Sequence, residues 1–418
     1  MKKQNIDDLN KLFHQANKLY QDEKYEEAIN IYKDLLEKIP NDTALLANYA
    51  SALYKTKQYQ KSLNLLNKSL NIDPKHVGSL VNRGDLYKRI GEFDKAKIDL
   101  EKAVKLAPNL VDAHINLGFL YLTIKEYQKG WEHLKYRYTK LNLPKCPYPY
   151  WNGELKKDKV LLILAEQGFG DTIWMARVNN YLKEKGLLPV WGVDSSLVEL
   201  FNRNNIEAYE QDFLLQNQNK FLFDYYIYLF DMHRVLNITP INIRNFVDTD
   251  RAYIKTQDSL NIKNDSLNIG FAYSGNKKHK NDKNRSIKLD IFSKLFDSNA
   301  NFFAIQKNVD IEKLISFEKE NIFDTSPLLN SFADTAAVVN SMDVIITVDT
   351  SLAHLAGAMG KETWLLLPYV ADWRWLQEGN NTKWYPSVKI FRQKIDGDWE
   401  SVIKEISLAI NSKMIELV

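Results

Sequence analysis

Three short stretches of this chain carry side chains able to do chemistry at the mouth of a cleft. In "EQGFGDT" Asp171 follows two glycines, Gly168 and Gly170, and precedes Thr172. The apolar run "KVLLILAE" before it predicts a strand, and the spacing after it predicts a helix, so the loop joins the two. The glycines are expected to let the backbone turn sharply at the strand end. Two readings are open for Asp171. It can cap the helix, a place where aspartate is favoured, or it can act as a general base that takes the proton of an attacking hydroxyl. The third glycine of a G-x-G-x-x-G dinucleotide fingerprint is absent, and Asp194 is the only acid near the position where a ribose would be held.

The second stretch, "VDTSLAHLAGAMG" (348–360), reads as a strand end followed by a helix rich in small residues. Asp349, Thr350 and Ser351 then stand at a helix N-terminus, where free N–H groups and the helix dipole favour phosphate. His354 lies one turn on and can face the same anion, or it can simply meet solvent or core. In the third stretch, "AYSGNKKHKNDKNRSIKL" (272–289), Ser274 and Gly275 end a strand before Lys277, Lys278, Lys280, Lys283, Arg285 and Lys288. Such cations can clamp a diphosphate, although most surface lysines are only solvated. Gln306 and Lys307, closing "NFFAIQK", are a further candidate pair. No D-x-D pair for a metal stands at a strand end. "DTD" at 248–250 lies outside the candidate loops.

These loops must be positioned by strands. "KVLLILAE", "LLPVWGV" and "FDYYIYLF" alternate with helical stretches, and so do "LNIGFAYSG", "NFFAIQK", "DVIITVDT" and "ETWLLLP". Short apolar strands separated by helices predict parallel sheets covered on both faces. Two such blocks predict two Rossmann-like domains facing each other across a cleft, with ligands at the carboxyl ends of the strands. The proline- and aromatic-rich "LNLPKCPYPYWNG" (141–153) reads as a linker. Before it the pattern differs: Pro40, Pro74 and Pro108 are 34 residues apart, and Ala16, Ala50, Gly84 and Gly118 keep the same period. So do Tyr25, Tyr59, Phe93 and Tyr127, and Ala28, Ser62, Ala96 and Gly130. Each unit predicts two amphipathic helices that bury their apolar faces only when stacked. Asn48, Asn82 and Asn116 recur on the first helix of successive units. They can bond an extended peptide in a groove, or merely cap or be solvated.

Composition bounds the rest. The 418 residues are too many for one core, and a net charge of +3 is too mild to argue for nucleic acid. The basic 277–288 cluster also lacks the aromatic partners of a single-strand binder. A lone cysteine, Cys146, excludes an internal disulfide and a cysteine metal cluster. The start turns charged before any signal-peptide core, and no run approaches the roughly 20 apolar residues of a membrane span. The expectation is a soluble, cytoplasmic protein.

The repeats resemble the tetratricopeptide repeat, about four copies over 9–144. From about 150 to 400 the chain resembles the heptosyltransferase-like glycosyltransferases. The resemblance rests on "EQGFGDT", "YSGN…NDKNRSI", "FFAIQK", "FADTAAVVNSMDVIITVDTSLAHLAGAMGKETWLLL" and "DWRWL…WYPSVKIFRQ". With the repeats, the whole looks like bacterial relatives of the protein O-linked N-acetylglucosamine transferases. The resemblance implies an α-solenoid (1–145) followed by a GT-B pair of Rossmann-like domains. The acceptor side would be 146–260 and the nucleotide-sugar side 261–418. It implies Asp171 as catalytic base within an acceptor loop of Gly168, Gly170 and Thr172. It implies donor contacts from Asp349, Thr350, Ser351 and His354, with Arg285 near a phosphate-contacting position; Ser351 departs from the family's usual glycine. Ser274, Gly275, Gln306 and Lys307 join the donor side from the strand ends described above. The expected reaction is inverting and metal-independent, needs no cofactor beyond the nucleotide-sugar co-substrate, and uses a protein or peptide acceptor held by the repeats. Rival readings are a repeat scaffold with a degenerate transferase half, and a transferase acting on a surface glycan. The repeats can also be a spacer or a dimerisation surface. In "DWRWLQEGNNTKWYP" (372–386), Trp373, Trp375, Trp384 and Tyr385 can stack on a base or sugar. The favoured reading has them seal a helix returning to the first Rossmann-like domain, with Arg374 the better placed for ligand.

Overall fold

In the computed structural model the chain divides into two compact units, residues 1–142 and 143–418. The structure describes residues 2–416 except 142, 144, 145, 218, 219, 263–265, 280 and 308, and of residues 2–6 the backbone alone. Lys280 of the basic loop and three residues of the expected linker thus lie outside the described residues.

The first unit is a solenoid of helix pairs: α1 (Lys2–Gln21) with α2 (Tyr25–Lys38), α3 (Thr43–Lys55) with α4 (Tyr59–Ile72), α5 (Val77–Arg89) with α6 (Phe93–Leu106), and α7 (Val111–Thr123) with α8 (Tyr127–Leu134). The phased small residues mark where the two helices of a pair touch. The hydroxyl of Ser62 donates to the Ala50 carbonyl at 2.7 Å. At Gly84 an added Cβ would meet Leu100 Cγ at 2.6 Å. The phased aromatics each open a second helix. One periodic feature escaped the residue types. Glu23, Lys57, Gly91 and Lys125 all adopt the left-handed region, with φ of 61°, 62°, 82° and 67°, between the helices of each pair. Only one of the four is glycine, so composition could not reveal the turn. Asn48 and Asn82 neither cap nor stand free. Asn48 donates to Asn17 at 3.0 Å and Asn82 to the hydroxyl of Ser51 at 2.9 Å, which ties the first helices of neighbouring repeats together.

The second unit holds two parallel sheets. One contains β1 (Val160–Leu164), β2 (Leu188–Val193), β3 (Ala208–Glu210) and β4 (Tyr225–Tyr228) in the order β3-β2-β1-β4. The other runs β10-β9-β8-β5-β6-β7, with β5 (Asn268–Ala272), β6 (Asn301–Ala304), β7 (Ile322–Asp324), β8 (Val344–Val348), β9 (Thr363–Leu367) and β10 (Val388–Arg392). Every paired strand in both sheets is parallel to its neighbour. The central strands β5, β8 and β9 are buried throughout, as their unbroken apolar runs require. The short β3 and β7 and the amphipathic β10 lie at sheet edges; they bury less and left no apolar run to read. Strand order reverses between β1 and β4 in the first sheet and between β5 and β8 in the second. Crevices for ligands open at such switch points.

Several helices matter for the site: α9 (Phe169–Met175) and α10 (Val178–Glu184) after β1, and α14 (Asp282–Arg285) between β5 and β6. Helix α18 (Ser351–Ala358) follows β8. The last helix, Trp399–Glu416, does not return to the first sheet. Its Val402, Ile403, Ile406 and Ile410 join Phe271, Phe292 and Ile346 in the core of the second. That corrects the expectation for the aromatic tail, whose Trp373 and Trp384 instead pack edge-on against Trp174 of α9 at 5.7 and 4.7 Å between centroids.

Candidate active site

Gly168 forms the N-cap of α9 in extended backbone, with φ −68° and ψ 166°. Asp171 is therefore the third helical residue and not the cap. Neither Gly168 nor Gly170 takes a left-handed φ, so the sharp turn expected of them is not what they supply. Gly170 serves a close approach: a Cβ there would lie 2.8 Å from Cδ2 of His354 and 3.4 Å from Cα of Ser351. The missing side chain lets α9 and α18 meet, and Asp171 is thereby set beside the 349–354 turn. The Gly168 N–H donates to the Asp171 carboxylate, and the buried Thr172 hydroxyl donates to the Gly168 carbonyl at 3.2 Å.

The partner of Asp171 comes from 203 residues away. Nη2 of Arg374 donates to its Oδ1 at 2.5 Å, while Nη1 of Arg374 holds Asp372 at 2.8 Å. The guanidinium lies over the rings of Trp174 and Trp373, 4.8 and 5.0 Å from their centroids. Burial pushes the Asp171 carboxyl above its ordinary value, and Arg374 opposes that push. Across the cleft, Asp349 accepts from the indole N–H of Trp375 at 2.9 Å, and its backbone carbonyl accepts from Nη1 of Arg285 at 2.7 Å. Burial, with Asp372 nearby, raises the Asp349 carboxyl to about 6. Thr350 is the N-cap of α18, yet its side chain makes no capping bond; its hydroxyl meets that of Thr347 at 3.2 Å. The first turn of α18 thus keeps N–H groups that a ligand can take.

These groups line a cleft of about 810 Å³ formed by loops from both sheets. Gly168, Gly170, Asp171, Thr172, Arg285, Asp349, Thr350, Ser351 and His354 come together there. Ser274, Gly275, Gln306 and Lys307 do not line it. Ser274 and Gln306 bond each other twice, at 3.1 and 2.9 Å, which joins the ends of β5 and β6. The Gly275 N–H donates to Ser286 at 3.0 Å, and its Cα packs under Arg285, where a Cβ would meet Nη2 at 2.5 Å. Lys307 is exposed. Of the basic loop, Lys278 and Arg285 reach the lining, as does His279. His279, Asp372, Glu210 and Asp212 line the cleft without having been singled out. Asp372 belongs to "DWRW", whereas Glu210 ends and Asp212 follows a strand too short to recognise. Asp248 and Asp250 of "DTD" pair with Arg251 and Arg244. Among the described residues no group of three or more His, Cys, Asp and Glu is arranged to hold a metal ion, and no helix is long and apolar enough to cross a membrane.

Known proteins match as follows. Two tetratricopeptide-repeat models match residues 19–84 and 77–110. Protein FlbA of Caulobacter vibrioides is 24% identical over 315 residues, which covers 68% of this chain and 52% of FlbA. The chain therefore spans about half the length of that relative, and an alignment of this extent continues past the repeat unit. Among solved structures, MamA of Desulfovibrio magneticus RS-1 is 22% identical over 32% of this chain and 75% of that one, with a TM-score of 0.29. A thermophilic repeat protein of Thermus thermophilus is 19% identical over 32% and 76%, with a TM-score of 0.31. The N-terminal region of this chain carries tetratricopeptide repeats.

Proposed function

We propose that the second unit is a glycosyltransferase, moving a sugar with inversion from a nucleotide sugar to an acceptor hydroxyl without a bound metal. We further propose that the repeats recruit a protein or peptide as acceptor. The observation that carries this reading is the convergence of both switch-point loops on one cleft. A carboxylate raised by burial, Asp171, stands there beside an uncapped helix start and two guanidinium groups. In the GT-B reading the acceptor O–H gives its proton to Asp171 as its oxygen bonds the anomeric carbon. The bond from that carbon to the diphosphate oxygen breaks, and the electron pair leaves with the diphosphate. The new charge meets the α18 amides, Arg285 and Arg374. The scaffold reading draws on one specific observation, that Asp171 already holds Arg374 at 2.5 Å.

Thermal shift of the full chain with a panel of nucleotides and nucleotide sugars tests the proposal. Stabilisation by one nucleotide class, lost in Thr350→Arg, supports the transferase reading and names the base. No response to any nucleotide would leave the scaffold reading in its place.

A further inference from the structure

His354 is buried and lines the cleft. Its ring stacks on Trp375 at 5.1 Å and 25°, and its Cδ2 edge abuts Gly170. Nδ1 meets the hydroxyl of Tyr385 at 3.0 Å. Tyr385 is itself buried and does not line the cleft. Which ring nitrogen carries the proton follows from counting donors. Tyr253 spends its single proton on the Ile173 carbonyl at 3.0 Å, since a carbonyl only accepts. Arg177 is a buried cation held by the carbonyls of Trp174 and Trp384 at 2.8 and 2.9 Å, and it donates to both tyrosine oxygens. The proton of Tyr385 then has two acceptors: the Tyr253 oxygen at 3.4 Å, already holding the guanidinium, and His354 Nδ1 at 3.0 Å. The nitrogen is nearer and more basic. Nδ1 is therefore bare and Nε2 carries the hydrogen. Burial, Arg374 and Arg177 all disfavour a second proton.

We propose that Tyr385, polarised by Arg177, locks His354 as the neutral tautomer whose Nε2–H is offered to the diphosphate of a nucleotide bound in the cleft. The diphosphate half of this inference rests on the transferase reading; the tautomer does not. A neutral donor suits the place. A cationic imidazole beside Arg374 would further lower the basicity of Asp171, whereas an N–H dipole stabilises a departing oxyanion without adding charge. Tyr385 is thus a positioning residue acting through His354.

The test is two-bond proton–nitrogen NMR on the full chain labelled with ¹⁵N-histidine, with the His354 signals assigned by their loss in His354→Gln. The expected pattern is neutral, Nε2-protonated and constant from pH 6 to 8, with the single-tautomer pattern lost in Tyr385→Phe. An Nδ1–H pattern or an imidazolium at neutral pH overturns the inference, as does an unchanged pattern in a folded Tyr385→Phe. Should that variant misfold, Tyr253→Phe takes its place: it removes the competing acceptor, along with the Tyr253 bonds to the Ile173 carbonyl and Arg177, but leaves Tyr385 and His354 intact, and the inference requires the wild-type pattern to persist. Adding inorganic pyrophosphate or uridine diphosphate should shift the Nε2 signal. If thermal shift reports nucleotide binding while Nε2 stays put, the donor role is wrong. If no nucleotide binds while the Nε2–H tautomer is found, the transferase reading fails and the tautomer lock stands.

Discussion

Two carboxyl groups in the cleft are raised by burial, and each makes its own demand. Asp171 shares its charge between Arg374 and the Gly168 N–H, which keeps a side chain on a helix aimed at one spot. Removing its charge while keeping its shape should remove proton transfer and little else. Asp171→Asn is expected to lower the transfer rate by about 10²–10⁴-fold in a radiolabelled-sugar assay, with nucleotide stabilisation retained. Loss of binding along with rate would mean that the carboxylate holds the donor instead. Asp349 gives a pH test. Its folded value of about 6 lies above the ordinary value of 3.8, so the folded state binds the extra proton between those values. Its contribution to stability is full below the unfolded value and is lost as pH rises through about 6. The difference amounts to at most about 3 kcal/mol. Asp349→Asn should therefore gain stability relative to wild type on going from pH 4 to pH 7, read as a growing difference in melting temperature. A difference independent of pH would show that burial does not raise this carboxyl.

At the scale of elements, the close meeting of α9 and α18 builds the site. Gly170→Ala would push a methyl to 2.8 Å from His354 Cδ2. Overpacking of that kind costs about 1–3 kcal/mol. The expected result is a lower melting temperature and a weakened nucleotide response, whereas the neighbouring Gly168→Ala should be mild because only Asp171 Oδ2, at 3.9 Å, lies near. Equal effects at both glycines would mean that the contact is not what Gly170 provides. The sequence showed the loop but not this reason for its glycines, because a close approach depends on the facing element. Apolar runs made the central strands legible, and a 34-residue period made the solenoid legible. The edge strand Ala208–Glu210 was hidden by its length, and with it Glu210 at its end and Asp212 beyond it. The Asp171–Arg374 pair was hidden differently: each residue drew notice alone, but nothing in spacing joins positions 203 apart. Ser274 and Gln306 illustrate the opposite case: they follow the ends of β5 and β6, where ligand contacts are expected, and the structure shows their polar groups bonding each other.

At the scale of the whole chain, the repeat unit and the two-sheet unit each have a core of their own, and a ligand stabilises only the cooperative body that holds its site. The repeat core gathers residues such as Tyr32, Leu45 and Leu53, while Phe271, Ile346 and Ile406 belong to the second sheet's core. Calorimetry of the full chain should therefore show two transitions, with nucleotide moving only the one that belongs to residues 143–418. At a ligand concentration of about 100 times Kd the stabilisation is about 2.7 kcal/mol. Hydrogen exchange on the same sample assigns the transition: added nucleotide should protect the loops after β1 and β8 and leave α1 to α8 unchanged. A peptide acceptor bound by the repeats should do the reverse. If nucleotide protects the repeats as well, the two units are energetically coupled, and reciprocity then requires the peptide to tighten or loosen nucleotide binding by the same factor. Independent transitions with no reciprocal effect would mean that the repeats recruit the acceptor only by raising its local concentration.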